Sequence, residues 1–368
     1  MYRCNNCALA VLLCVAIAFF GGCRGNAQKI VAHAAAGDCG KSGKTPAKVI
    51  FDTDMYTDFD DAGALACLHA LADVGECEIL ATLANTRDCM SVAMCEIINA
   101  YYGRPDIPVG CSKDIGKTGT DEYHVKRYGA VVEKYAKWVR HRDSDDAPDA
   151  NLVYRRVLAS QPDNSVVICS VGFLTNLRRL LETKPDDISP LDGKSLVARK
   201  VKLWVAMACR YPNGKEYNSM MDAQSSRIAL ENWPTPIVFT DWNYGFGCHA
   251  GRGVAESGRT DSPIADVFAG NLPSRNEVRA MASRNQCGAL GINGRAAWDQ
   301  TAVLIAVRGT RPYFGEMRGT YRITGADGAN EWVADERSAH FRVTEKMPKA
   351  EVGRLLDELM LRLPASRR

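Results

Sequence analysis

Five aspartates fall within ten residues of this chain, in Asp52-Thr-Asp54-Met-Tyr-Thr-Asp58-Phe-Asp60-Asp61, directly after the run Lys48-Val-Ile-Phe51. That run has the length and the β-branched or aromatic content of a buried strand, and Ala62-Gly-Ala-Leu-Ala-Cys-Leu68 reads as the start of a helix. The carboxylates therefore lie at the carboxyl end of a first strand, where open α/β sheets bind their ligands. Like charges a few ångströms apart raise one another's pKa, so such a turn is costly unless a cation relieves it. Oxygen-only donors suit a hard divalent ion, Ca²⁺ or Mg²⁺. The alternative is a solvated acidic loop whose aspartates cap the helix.

The rest of the chain alternates in the same manner. Cys77–Ala84 reads as a second strand ending at Asn85, followed by a helix over 92–102 and a short strand at 107–109. Residues 111–146 are polar and mixed, which suits a long surface loop or lid. A helix near 152–160 leads to a strand at 165–169, the turn Val171-Gly-Phe-Leu-Thr-Asn176 and another helix. Strands at 201–206 and 237–240 flank a helix near 222–231. Residues 243–297 are rich in Gly and Arg with helical pieces, and Trp298–Val307 reads as a helix begun by Asp299. The tail over 316–345 alternates like a β-hairpin, and Lys349–Leu361 closes the chain as an amphipathic helix. This pattern predicts an α/β fold, an open and mostly parallel sheet flanked by helices and joined by right-handed crossovers, with a C-terminal hairpin and helix.

Three segments are expected: a leader over 1–23, a small and polar tether over 24–45, and one domain over 46–368. Arg3, an apolar stretch from Ala8 to Phe20, and Gly21-Gly-Cys23 resemble a bacterial lipoprotein signal, with Phe20 in place of the usual Leu. The stretch is short for a membrane span, which needs ~20 apolar residues. Export to the periplasm, or anchoring through a lipid on Cys23, is the expectation. A net charge of +3 without a basic block argues against nucleic acid as a partner. Of 14 cysteines, Cys4, Cys7, Cys14 and Cys23 belong to the leader; the others form no CxxC pair, which argues against a zinc cluster. Cys67, Cys169 and Cys209 sit in apolar runs as small buried side chains.

The aspartate turn, Asn85, Val171-Gly-Phe-Leu-Thr-Asn176, Glu216-Tyr-Asn218 and Trp298-Asp299, in this order, resemble the inosine–uridine-type nucleoside hydrolases over roughly residues 46–310. The resemblance implies a nucleoside-hydrolase-like fold and calcium held by Asp54, Asp61, the carbonyl of Val171, and Asp299. This turn is two residues longer than the family's, so Asp58 is an extra carboxylate, able to replace Asp60 or Asp61 if the gap falls elsewhere. The implied reaction is hydrolysis of the N-glycosidic bond of a ribonucleoside or related ribosyl compound to ribose and free base. Positive charge develops on the sugar in such a reaction, and an anionic site favours it over the neutral substrate. Asp54 is implied as the base taking a proton from water. Asp60, Asp299 and Asn85 are implied to bind the vicinal diol, and Glu216 and Asn218 the 5′ side of the ribose.

Many family members have His where this chain has Trp298, and an indole cannot donate an acid proton, although it can stack on a base. His124 is the candidate for leaving-group acid, with His249 a weaker one; Tyr123 and Tyr217 could line a base pocket. Asn213, before Glu216, is spaced differently from the family's asparagine. Two other readings compete: an exported nucleoside- or sugar-binding protein on the same fold, and a haloacid-dehalogenase-type phosphatase using Asp52-x-Asp54. A homo-oligomer is compatible with all of them.

Overall fold

The structure is a computed structural model that describes residues 45–367, except 56–57, 88–89, 115–121 and the side chains of 122–127. The expected leader and most of the tether lie outside the described residues. Thr45–Arg368 forms one compact unit. Its strands are β1 (Ala47–Thr53), β2 (Cys77–Ala84), β3 (Val109–Cys111), β4 (Val166–Ser170), β5 (Val201–Ala206), β6 (Asn213–Gly214) and β7 (Ile237–Phe239). There follow β8 (His249–Gly251), β9 (Leu290–Gly291), β10 (Gly294–Ala296), β11 (Phe314–Ile323), β12 (Asn330–Ala334) and β13 (Phe341–Glu345).

Side chains alternate across a strand, and β1 buries both of its faces. Val49 and Phe51 enter one apolar cluster with the helices Asp60–Ala72, Ser91–Tyr101, Trp298–Arg308 and Lys349–Met360. Ile50 enters the opposite cluster with the helices Ala150–Ser160, Thr175–Glu182 and Ala223–Asn232. A strand covered on both sides has no polar face, which is why the centre of β1, Val49–Phe51, and Val166–Cys169 of β4 read as apolar runs.

The main sheet has the order β3-β2-β1-β4-β5-β7-β13-β11-β12-β6. It is parallel from β3 to β13 and antiparallel beyond. The chain runs outward from β1 through β2 to β3, then crosses back to β4 and continues the other way. The order thus reverses between β1 and β4, the switch point at which such sheets open a crevice.

One expectation needs correction and two need extending. The polar stretch over 111–146 contains a 13-residue helix, Glu122–Lys134, continued by Tyr135. Tyr128, Val131 and Tyr135 recur at helical spacing and are buried, but polar neighbours dilute the pattern. The Gly- and Arg-rich stretch adds a small sheet, β8-β10-β9, whose strands of two or three residues are too short to show alternation. The C-terminal hairpin, β11–β12, is joined to the main sheet by β13, which lies between β7 and β11 and runs parallel to β7.

Candidate active site

At the switch point the ends of β1, β2 and β4 are knitted together. Val171 N–H donates to Asp52 O at 2.8 Å and Asn85 N–H to Thr53 O at 2.9 Å. Asp52 is enclosed beneath them, accepting hydrogen bonds from Tyr154 Oη at 2.7 Å, Asn85 Nδ2 at 2.6 Å and Asn176 Nδ2 at 3.2 Å. Burial pushes its carboxyl up to about 6, against the pull of these donors. A phosphatase nucleophile must reach its substrate, and this fully buried group cannot. Asn85 in turn accepts from Phe173 N–H at 3.0 Å. A Cβ on Gly172 would stand 2.5 Å from Asp54 N and 2.6 Å from Asn85 Oδ1, so only glycine lets these two approach.

Above this floor the carboxylates converge. Oxygens of Asp58, Asp61 and Asp299 lie within 4.8 Å of one another, although 241 residues separate Asp58 from Asp299 in sequence. Two such charges repel by roughly 3–4 kcal/mol at the effective dielectric of a protein site. Asp61 is raised well above the usual carboxylate range by burial and then by the charge of Asp54. Asp299 is raised by burial and then by Asp60, Asp61, Asp58 and Asp54. Asp54, itself buried, therefore belongs to the same electrostatic group. Thr53 Oγ1 donates to Asp61 and accepts from Met55 N–H at 3.1 Å, which fixes the turn.

Helix packing brings Asp299 into this group. A Cβ on Gly63 would meet Gln300 Nε2 at 2.6 Å, so the absent side chain lets the helices Asp60–Ala72 and Trp298–Arg308 touch backbone to side chain. Asp299 N–H then lies 3.4 Å from Asp60 Oδ2.

Two residues of the site were not foreseen. Arg295, on β10, donates through Nε to Asp60 at 3.2 Å and through a terminal nitrogen to Asp58. Its guanidinium lies 5.0 Å from the Phe59 ring centre and 5.5 Å from that of Trp298. Burial alone would raise the Asp58 carboxyl, but Arg295 outweighs it and holds that group below its ordinary value, while Asp60 stays raised by burial and by Asp58. Tyr128, from the unforeseen helix, is buried and donates to the carbonyl of Asp58. The one sequence signal for Arg295 was electrostatic: five clustered carboxylates call for a cation, and an arginine stands four residues before Asp299.

The remaining predicted residues divide. Asn218 Nδ2 donates to the Val171 carbonyl at 3.3 Å and to Met207 O at 3.1 Å, so it flanks the expected carbonyl ligand. Glu216 caps the short helix Tyr217–Met221, accepting from Asn218 N–H at 2.9 Å, Ser219 N–H at 3.0 Å and Cys209 N–H at 3.0 Å. Burial raises its pKa, opposed by these donors. Trp298 is buried and donates from Nε1 to Trp242 O at 2.9 Å, with its ring among those of Trp242 and Phe246. Tyr217 is exposed beside Phe173, with ring centres 5.8 Å apart. His249 pairs with Ala296, so strand alternation turns it to the face opposite Arg295. Asn213 lies on the edge strand β6. His124 belongs to the Glu122–Lys134 helix by its backbone, but its side chain, like that of Tyr123, is outside the described residues.

The acidic trio, with Asp54 in the same electrostatic group, offers only hard oxygen donors in a largely buried place where the carboxylates destabilise one another. A divalent cation fits that donor set.

No curated protein matched the chain by sequence. The profile of the inosine-uridine preferring nucleoside hydrolase family matches residues 49–361. Among solved structures, a plant nucleoside hydrolase, PpNRh1, is similar with 18% identity and a TM-score of 0.61, covering 86% of this chain and 99% of that one. The inosine-uridine preferring nucleoside hydrolase from Bacillus anthracis shares 14% identity with a TM-score of 0.61, over 86% and 99% of the two chains. The type III effector protein XopQ, solved with adenosine diphosphate ribose, shares 15% identity with a TM-score of 0.60, over 86% and 94%. At such identities the likeness is one of fold: an α/β architecture with a largely parallel central sheet.

Proposed function

The chain belongs to the inosine-uridine preferring nucleoside hydrolase family and is thus a hydrolase of N-glycosyl compounds; we propose that it hydrolyses a ribonucleoside or related ribosyl compound in a calcium-dependent reaction. The observation that carries this reading is the convergence of Asp58, Asp61 and Asp299 at the switch point, with Asp54 in the same group.

Asp54, Asp61, Asp299 and the Val171 carbonyl would hold the ion, with Asp58 as a further oxygen donor. Calcium suits this set better than magnesium, because it accepts irregular geometry and many carboxylates. When bound, the ion supplies orientation, holding the attacking water and the sugar diol together. Asp54 would take the proton from the attacking water as it adds to the anomeric carbon and the base departs. Asp60, Asn85 and Asp299 bind the 2′- and 3′-hydroxyls, while Glu216 and Asn218 face the 5′ side. The cluster's negative charge favours the cationic sugar of the transition state. Trp298 has committed its N–H to Trp242, so it offers the leaving base a ring and not a proton. His124 is the proposed acid; if so, H124A slows inosine hydrolysis more than that of a p-nitrophenyl riboside, whose leaving group needs no proton.

The decisive experiment is a nucleoside panel assayed for reducing sugar with and without EGTA. Calcium-dependent release that is lost in Asp54→Ala, by about 10³-fold or more, is expected. Release that survives both chelation and that substitution would falsify the mechanism. Nucleoside binding without product over hours would favour the binding-protein alternative.

We also infer export, from the leader ending at Cys23. Labelled palmitate incorporated into wild type but not Cys23→Ala tests the lipid anchor.

A further inference from the structure

Arg210 follows Cys209, whose backbone N–H is held by Glu216 of the proposed ribose site, and both of its own backbone polar groups are held as well. Cys209, just before it, has φ of 71°, a left-handed conformation that is uncommon outside glycine and that persists only where surroundings enforce it. Those surroundings are Glu216 and Ser219, which accept the Cys209 N–H at 3.0 and 2.9 Å. Buried Asn330 grips Arg210 on both backbone groups, accepting its N–H at 3.1 Å and donating to its carbonyl at 2.8 Å. Asn243 does the same for Tyr211, at 2.8 and 2.9 Å. The guanidinium then lies 4.2 Å from the ring centre of Trp242, which stacks on Phe246 at 4.3 Å. The carbonyl of the same Trp242 anchors Trp298.

The side chain so presented is exposed. Arg295 is paired with Asp58 and Asp60, and Arg342 with Asp241, but among the described residues Arg210 has no carboxylate partner. Its donor fork is thus preorganised and available. Arginine forks match phosphate oxygens in geometry and charge, and a fork already stacked on an aromatic ring loses little freedom on binding. Arg210 directly follows Cys209, whose N–H is held by Glu216, the residue read as facing the 5′ side of the ribose.

We propose that Arg210 binds a phosphate on the 5′ carbon of the ribose, so that the preferred substrates are phosphorylated ribosyl compounds. This rests on the hydrolase reading for the placement of Glu216 at the 5′ side. The shared chemistry is a 5′-phosphate ester, carried by either a nucleoside monophosphate or a diphosphate-linked riboside.

The test uses the calcium-loaded protein in two arms. Calorimetry compares ribose 5-phosphate with ribose, and needs no turnover. Kinetics compares kcat/KM for inosine 5′-monophosphate and for ADP-ribosylated nicotinamide (a diphosphate-linked riboside) with that for inosine. Wild type is expected to favour the phosphorylated ligand in each arm by about tenfold or more. In Arg210→Gln the ratio falls towards one, and Arg210→Lys keeps part of it; melting curves of both variants confirm folding. Equal affinity of wild type for ribose and ribose 5-phosphate overturns the proposal, as does a preference that Arg210→Gln retains. Inosine turnover without a phosphate preference sinks this inference alone, whereas no turnover of any riboside, with phosphate preference intact in calorimetry, sinks the hydrolase reading and leaves Arg210 as a phosphate-binding residue only.

Discussion

Asp58 and Asp60 share one guanidinium, and that sharing limits how much uncompensated charge the buried turn carries. Arg295 is a fixed cation beside a place that would receive a mobile one, so the two oppose each other. Arg295→Met keeps an apolar stem between Phe59 and Trp298 while removing the charge. Calcium affinity, measured by calorimetry, is expected to tighten by on the order of tenfold. The calcium-free protein is expected to lose about 3 kcal/mol, because the buried Asp60 and the half-buried Asp58 lose their partner. Unchanged or weaker calcium binding would show that Arg295 does not oppose the ion. At this scale the acidic turn itself was readable from residue type and spacing, while the choice of Asp54, Asp61 and Asp299 within it came from the resemblance. The pairing of Asp58 with Arg295 was not, because nothing local links positions 237 residues apart.

Among elements, the contact between the Asp60–Ala72 and Trp298–Arg308 helices decides whether the site exists. Gly63 lies at that contact, where an added Cβ would also meet Met360 Sδ at 2.8 Å and Phe268 at 2.9 Å. Gly63→Val is expected to cost about 1–3 kcal/mol through overpacking and to weaken calcium binding, since Asp299 recedes from Asp61. Gly270→Ala is the control: it lies in the Pro263–Asn271 helix with open space at the Cβ position, and neither quantity should fall. Thermal melts and calcium titrations on both variants check this. A drop in stability with calcium affinity intact would uncouple the helix contact from the site. Long apolar elements were legible here, β2 to the residue. The Glu122–Lys134 helix and the strands β8, β9 and β10 were not, because short or polar segments take their structure from what they pack against.

For the whole molecule, an ion at this position would join the first strand's turn to the helix Trp298–Arg308, more than two hundred residues further along the compact unit. It binds only the folded chain, so calcium at 100 times its Kd should stabilise the protein by about 2.7 kcal/mol. Melting in EGTA against excess calcium measures it, with magnesium expected to do less. A midpoint indifferent to calcium would mean that the trio holds no such ion. What the sequence by itself determined was local and additive: the alternation of strands and helices, the acidic turn at the end of β1, and the family its ordered motifs resemble. Only tertiary structure decided which carboxylates meet, which cation answers them, which histidine turns away, and which arginine stacks on Trp242. Periodicity and propensity act over a few residues, whereas a buried charged site is assembled from segments that meet only when the helices close.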